Sequence, residues 1–176
     1  GLTEHTLALD GIAVIVNKEN TATDLTSEQI GQIYTGEITN WSEVGGPDEE
    51  ILLVIREAGS GTRDAFEEIL GLEEVDESKG IIADSTNAVS QNVAGKTNAI
   101  GYVSLGSLDT NTVNAVKVDG ADCTAENVVN GSYSISRPFL LLTKGEVPAH
   151  VQSFLDYVLS DDVQSYITEE GFISAK

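Results

Sequence analysis

The stretch Arg56-Glu57-Ala58-Gly59-Ser60-Gly61-Thr62-Arg63 brings together glycines, hydroxyls and two arginines. The apolar run Ile51–Arg56 reads as a short strand buried on both faces. Thr62–Leu70 reads as a helix with Phe66, Ile69 and Leu70 on one side and Gly71 as its stop. Strand, glycine loop and helix N-terminus in that order suit an anion. The first-turn N–H groups have no intrahelical partner, and the helix dipole places partial positive charge there. Gly59 and Gly61 allow backbone donors to approach a ligand closely. Ser60 and Thr62 add hydroxyl donors, and Arg56 offers a charged fork to two oxyanion oxygens. The same residues also read as ordinary turn chemistry, with Ser60 or Thr62 capping the helix and Arg56 and Arg63 solvated. Base scarcity favours the anion site, because these arginines are two of only nine Lys and Arg residues.

Other chemistries fit less well. A P-loop needs a lysine after its second glycine, and none stands here. A nucleophile elbow needs glycines where Ala58 and Thr62 stand. His5 and His150 are far apart in sequence and sit in no motif, so a serine nucleophile has no evident base. No His/Cys/Asp cluster has metal spacing, and no cofactor motif is present. Cys123 is the sole cysteine, which excludes an intrachain disulfide, and it reads as a spare thiol. Trp41 reads as a loop anchor. Asn87, near a second predicted helix start, reads as a cap or as a residue facing the same cleft.

The charge sets the partners. Twenty-nine acids against nine bases give a net charge of −20 over 176 residues. Such a surface repels phosphodiester backbones, so nucleic acid is excluded as a partner. Any anion must be held by a local site stronger than the global field. No apolar run approaches the length of a membrane-spanning helix. The chain carries no methionine, so the reading places its start downstream of a native initiator.

The elements that must position the loop alternate along the chain. Thr6–Asn17 reads as one long or kinked strand interrupted at Asp10–Gly11. Thr26 and Gln29 form a capping box for a helix with Ile30, Ile33 and Tyr34 on its apolar stripe and Gly36 at its end. Ile38–Gly46 reads as loop, Leu72–Lys79 as an acidic surface loop, and Ser85–Val93 as a capped helix. Ala99–Val103, Val113–Val118 and Pro138–Thr143 read as strands, with Pro138 at a strand start where no ladder donor is lost. Thr124–Val129 is a short capped helix. Val151, Phe154, Leu155, Val158 and Leu159 have helical spacing, continued by Val163, Tyr166 and Ile167 after a break at Ser160–Asp161. Phe172–Ala175 closes the chain as an edge strand. This alternation predicts an α/β fold with largely parallel pairing.

Several runs resemble one family. Gln29–Trp41 (QIGQIYTGEITNW), Gly45-Gly46, Arg56–Thr62 (REAGSGT), Ala99–Leu105 (AIGYVSL) and Arg137–Gly145 (RPFLLLTKG) are similar, in consistent order, to the phosphate-binding receptors of bacterial and archaeal ABC phosphate transporters. The resemblance implies a periplasmic-binding-protein-like α/β fold of two lobes joined by crossing strands. It implies non-catalytic capture of inorganic phosphate for a membrane ABC permease, with no cofactor and no metal. Carried over by position, phosphate falls to Arg56, Ser60, Gly61 and Thr62; no ligand contact is carried onto Arg63. The family's N-terminal stretch supplies hydroxyls and backbone donors from across the cleft, and an acidic residue that distinguishes phosphate from sulfate. The chain reads as starting after that stretch.

The expected architecture is one complete lobe over residues 18–133. Residues 1–17 and 134–176 would be crossing strands and the remnant of a first lobe. Self-association, or complementation by a separate N-terminal segment, is expected to cover that remnant. The resemblance places the full-length parent outside the cytoplasm, extracellular or periplasmic and membrane-associated. A receptor for another oxyanion such as sulfate, and an interaction or oligomerisation module without ligand uptake, are the alternatives. An enzyme acting on phosphate esters ranks last.

Overall fold

The first strand is longer than its apolar run. In the computed structural model, which describes residues 1–176, β1 extends over Leu2–Asn17. The strand thus begins four residues before the expected Thr6. Asp10–Gly11 does not break it; the irregularity lies between Thr6 and Ala8, where the register with a partner strand shifts. From Asp10 to Asn17 every residue of β1 is buried, whereas Leu2–Glu4 are exposed.

Next come β2 (Asp24–Leu25) and α1 (Ser27–Thr35). The Thr26 side chain accepts from the Gln29 N–H and the Gln29 side chain accepts from the Thr26 N–H, the reciprocal cap read from sequence. Gly36 ends α1 at φ 81°, a left-handed position that glycine occupies without steric cost. The Ile38–Gly46 loop contains a 3₁₀ turn, Trp41–Val44. Trp41 is fully buried and donates Nε1–H to the Asn98 carbonyl at 2.9 Å, an anchor as expected.

Strand β3 (Leu52–Arg56), helix α2 (Gly61–Leu70), strand β4 (Ile81–Ala83), helix α3 (Thr86–Ala94) and strand β5 (Ala99–Ser104) follow. Two further short strands, β6 (Val113–Ala115) and β7 (Lys117–Val118), divide the segment expected as one. Helix α4 (Ala125–Val129), strand β8 (Ser136–Lys144), helices α5 (Ala149–Val158) and α6 (Asp161–Glu169) and strand β9 (Ile173–Ser174) complete the chain.

The large sheet runs β4-β3-β5-β1-β6, with β8 and β9 also pairing β1; β2 and β7 form a separate parallel pair. Parallel pairing holds for β3–β4 and β3–β5, which are joined through α2 and α3. It fails around β1, which is antiparallel to β5, β6, β8 and β9. The sheet is therefore mixed, not largely parallel. Strand–helix alternation reports the crossovers but not the direction in which β1 enters between them. Pro138 lies inside β8 rather than at its start, but β8 pairs only β1, and an edge strand tolerates proline. Strand β4 falls just after the expected acidic loop, where Ile81–Ala83 is too short to announce itself.

The core sits where α1, α2 and α3 cover the sheet. Phe66 of α2 stacks on Tyr102 of β5 with ring centroids 4.1 Å apart and meets Tyr34 of α1 edge-on at 4.9 Å. That cluster seats α2 against the sheet. The C-terminal helices are held differently. Gln164 of α6 is buried and donates to the Leu7 carbonyl of β1 at 3.0 Å, while its Oε1 accepts from Ser174 and Ala175 at the β9 end. Along the predicted α5 stripe, Leu155 is buried but Phe154 is 54% exposed.

Gly101 of β5 lies under α3. A Cβ there would stand 2.7 Å from Val89 Cγ1 and 3.0 Å from Val93 Cγ2, two branched side chains with little freedom to move. Gly101→Ala should destabilise the fold by about 1–3 kcal/mol through overpacking, read as a lower denaturant midpoint at unchanged slope.

Candidate anion-binding site

Strands β3 and β4 run parallel, and each passes at its C-terminal end into a helix. Arg56 and Ala83 are register partners, and the Glu57 N–H bonds the Ala83 carbonyl at 3.1 Å. The N-termini of α2 and α3 are thereby set side by side at one edge of the sheet, where open α/β sheets bind ligands.

Arg56, Ser60, Gly61 and Thr62 all lie at this edge. Ser60 is the N-cap of α2, and its hydroxyl accepts from the Arg63 N–H at 3.4 Å. The capping reading of Ser60 and its membership of the loop are thus both realised. The N–H groups of Gly61 and Thr62 bond no protein acceptor. Gly59 has φ 87°, a left-handed turn that brings the chain round into the helix. The backbone here presents two aligned donors at the positive end of α2.

Arg56 is mostly buried, and its guanidinium forks onto Glu57, Nε–Oε2 at 2.8 Å and Nη2–Oε1 at 2.9 Å. Nη1 reaches Thr86 Oγ1 at 3.3 Å, at the start of α3. The Glu57 hydrogen bond raises the Arg56 pKa further above its ordinary value. The same bond holds Glu57 below the usual carboxylate range. A depressed carboxylate keeps its stabilising charge at neutral pH and loses it as pH falls through the lowered value, so the pair stays closed until the medium is acid. Arg56 retains two of its five N–H bonds for a ligand. Thr86, and not Asn87, is the α3 residue that meets Arg56; Ser85 caps that helix and Asn87 is exposed.

Arg63 turns away from the loop. It is neutralised by Glu67 at 2.6 Å and by Glu77, and Nη1 bonds the Arg56 carbonyl at 3.0 Å. Its role is to brace the strand end.

Sequence reasoning missed Arg137. It lies on β8, far along the chain, yet Nη2 donates to Thr62 Oγ1 at 3.0 Å and Nη1 to the Gly61 carbonyl. Nη2 also reaches the buried carboxylate of Asp10 at 3.3 Å. Arginine occurs only at 56, 63 and 137: Arg56 ends the strand leading into the loop, the Arg63 side chain bonds the Arg56 carbonyl, and the Arg137 side chain bonds Thr62 in the first turn of α2. The available signal was the same scarcity of bases that favoured Arg56.

Cys123 is a free thiol, and it is buried, which pushes its pKa up to about 12, so it stays protonated. Burial likewise pushes Tyr102 up to about 12; its hydroxyl accepts the Arg56 N–H at 3.4 Å. His5 is paired with Thr143 at 3.0 Å, remote from the loop. No three His, Cys, Asp or Glu side chains group to hold a metal ion.

A profile of the PBP superfamily domain matches residues 1–162. The chain belongs to the PBP superfamily. Two solved structures, 48% and 39% identical and each covered over more than two thirds of its length, place it within that superfamily among the phosphate-binding receptors of ABC phosphate transporters. A solved structure from Clostridium perfringens with bound phosphate, its protein named for a phosphate ABC transporter substrate-binding role, is 48% identical. It aligns over 100% of this chain and 73% of that one, with a TM-score of 0.88. An ABC-type phosphate transport receptor from Vibrio cholerae is 39% identical over 98% of this chain and 72% of that one, with a TM-score of 0.91. Phosphate-binding protein PstS of Bacillus subtilis (strain 168) is 38% identical over 173 residues, 98% of this chain. The chain spans 57% of that relative's length. No helix is long and apolar enough to cross a membrane.

Proposed function

We propose that this chain captures inorganic phosphate, without catalysis, as the lobe-bearing part of an ABC phosphate-transport receptor acting outside the cytoplasmic membrane and delivering to its permease. The observation that carries the reading is the pair of unbonded N–H groups of Gly61 and Thr62 at the α2 N-terminus, with Arg56 at the preceding strand end and Arg137 on Thr62, in a molecule of net charge −20. Arg56, Ser60, Gly61 and Thr62 are the proposed ligands. The N–H groups of Gly61 and Thr62 and the free N–H bonds of Arg56 are their principal donors. Residues 18–133 form the phosphate-bearing lobe, and residues 1–17 and 134–176 the crossing strands and part of a second lobe. The family relatives solved as phosphate receptors support this reading.

Arg56→Ala should weaken phosphate binding at least about tenfold by calorimetry, because a charged hydrogen bond is lost from a partly buried site. Unchanged affinity takes Arg56 out of the site. Inert salt should leave the affinity level or raise it between low and physiological ionic strength. The attraction is short-range, while the net field that salt screens repels anions. A steep loss with salt would indicate a diffuse basic patch instead.

We also propose that the second-lobe portion packs against further polypeptide, either an additional segment or another copy. Of the eight large apolar side chains left exposed, six lie on β1, β8, α5 and α6: Leu2, Leu140, Leu142, Phe154, Tyr157 and Tyr166. Large contiguous apolar patches mark interaction surfaces, and this part of the chain carries most of the exposed apolar side chains. Light scattering over a concentration series should show reversible association of the 176-residue chain. A monomer at all concentrations with no binding of hydrophobic dye overturns this part of the reading.

A further inference from the structure

Asp10 and Arg137 stand directly opposite one another in the β1–β8 register. Asp10 is wholly buried. Its Oδ1 accepts from Ser104 Oγ at 2.6 Å, and its Oδ2 accepts from Arg137 Nη2 at 3.3 Å and Nε at 3.4 Å. The same guanidinium donates to Thr62 Oγ1 and to the Gly61 carbonyl. The ring of Phe139, two residues along β8, lies 5.2 Å from its Cζ. Four of the five N–H bonds of Arg137 are therefore committed within the protein.

The direction of the Thr62 bond matters. A guanidinium can only donate, so Thr62 Oγ1 must accept from it. The hydroxyl's own proton then points elsewhere. A hydroxyl held this way is set to donate, which is what an anion requires. We infer that Arg137 is a positioning residue that fixes Thr62 as a hydrogen-bond donor to bound phosphate and, through Asp10, ties that donor to the crossing strands β1 and β8. This rests on the proposal that phosphate binds at the α2 N-terminus. Arg56 and Arg137 thus divide the work: Arg56 keeps N–H bonds free for the ligand, whereas Arg137 spends its own on the frame. Any shift of β1 or β8 relative to α2 displaces the Thr62 hydroxyl.

A double-mutant cycle on the 176-residue chain separates positioning from mere stability. Arg137→Lys keeps a positive charge beside the buried carboxylate, but one ammonium cannot serve Asp10, Thr62 and Gly61 together. It should weaken phosphate about tenfold in the native background and less than about twofold in a Thr62→Val background, where the hydroxyl is already gone. Equal losses in both backgrounds overturn the inference. Should Arg137→Lys not fold, the neutral pair Asp10→Asn/Arg137→Gln replaces it in the same cycle. Hydrogen exchange without phosphate gives an independent reading. The Arg63 and Asp64 amides, the first of α2 to be hydrogen-bonded, should exchange faster in the Arg137 variant while those of Ala88 and Val89 at the start of α3 are unchanged, and unaltered protection at Arg63 and Asp64 overturns the inference. If the native chain binds no phosphate, the proposed function fails by itself and the exchange result alone decides the role of Arg137.

Discussion

Sixteen extended residues, Leu2–Asn17, hydrogen-bond to four other strands, and the sheet is organised around that requirement. Backbone donors and acceptors buried along β1 must all find partners, because an unpaired one costs as much as a lost hydrogen bond. The C-terminal half meets this with β5 and β6, and the N-terminal half with β8 and β9. One strand therefore serves both the buried αβ layer and the more open C-terminal unit. Asp10 sits where these duties change over, next to Gly11, whose missing Cβ lets Cys123 and Val128 pack against the backbone.

The electrostatics are local against an opposing global field. A charge of −20 makes the surroundings of the protein unwelcoming to anions. At the end of the sheet formed by β3, β4 and their helices, oriented N–H groups oppose that field locally. Each arginine is itself neutralised by a carboxylate: Arg56 by Glu57, Arg63 by Glu67 and Glu77, and Arg137 by Asp10. The proposed site thus offers directed donors more than net positive charge. Such donors need no reorganisation on meeting an anion, since the helix and the ion pairs already fix them.

The two ends of the chain show how unevenly the apolar surface is used. Around α1, α2 and α3 the large apolar side chains are enclosed, down to the Tyr34–Phe66–Tyr102 cluster. On β8 and α5 the periodic pattern is equally clear, yet Leu142, Phe154 and Tyr157 face outward. A periodic stripe says that a face is apolar; what covers it is a separate matter, and here only part of the stripe is covered within residues 1–176.

Local rules were readable from residue order alone. The Thr26–Gln29 capping box, the glycine stops at Gly36 and Gly71, the buried β3 run and the loop leading into α2 each depend on neighbours within a few positions. So does the placing of Arg56, Ser60, Gly61 and Thr62 at one strand-to-helix junction, because they are consecutive or nearly so. The antiparallel entry of β1, the short β4 and the arrival of Arg137 at Thr62 were not readable in this way. The first two depend on pairing with β5 and β3, and the third on a β1–β8 register that sets Asp10 opposite Arg137 across 127 positions of sequence. Side-chain types state what a residue can donate or accept. Only the folded sheet decides that Asp10 is out of water, that Arg137 must answer it, and that the remaining N–H bonds of Arg137 fall on the first turn of α2.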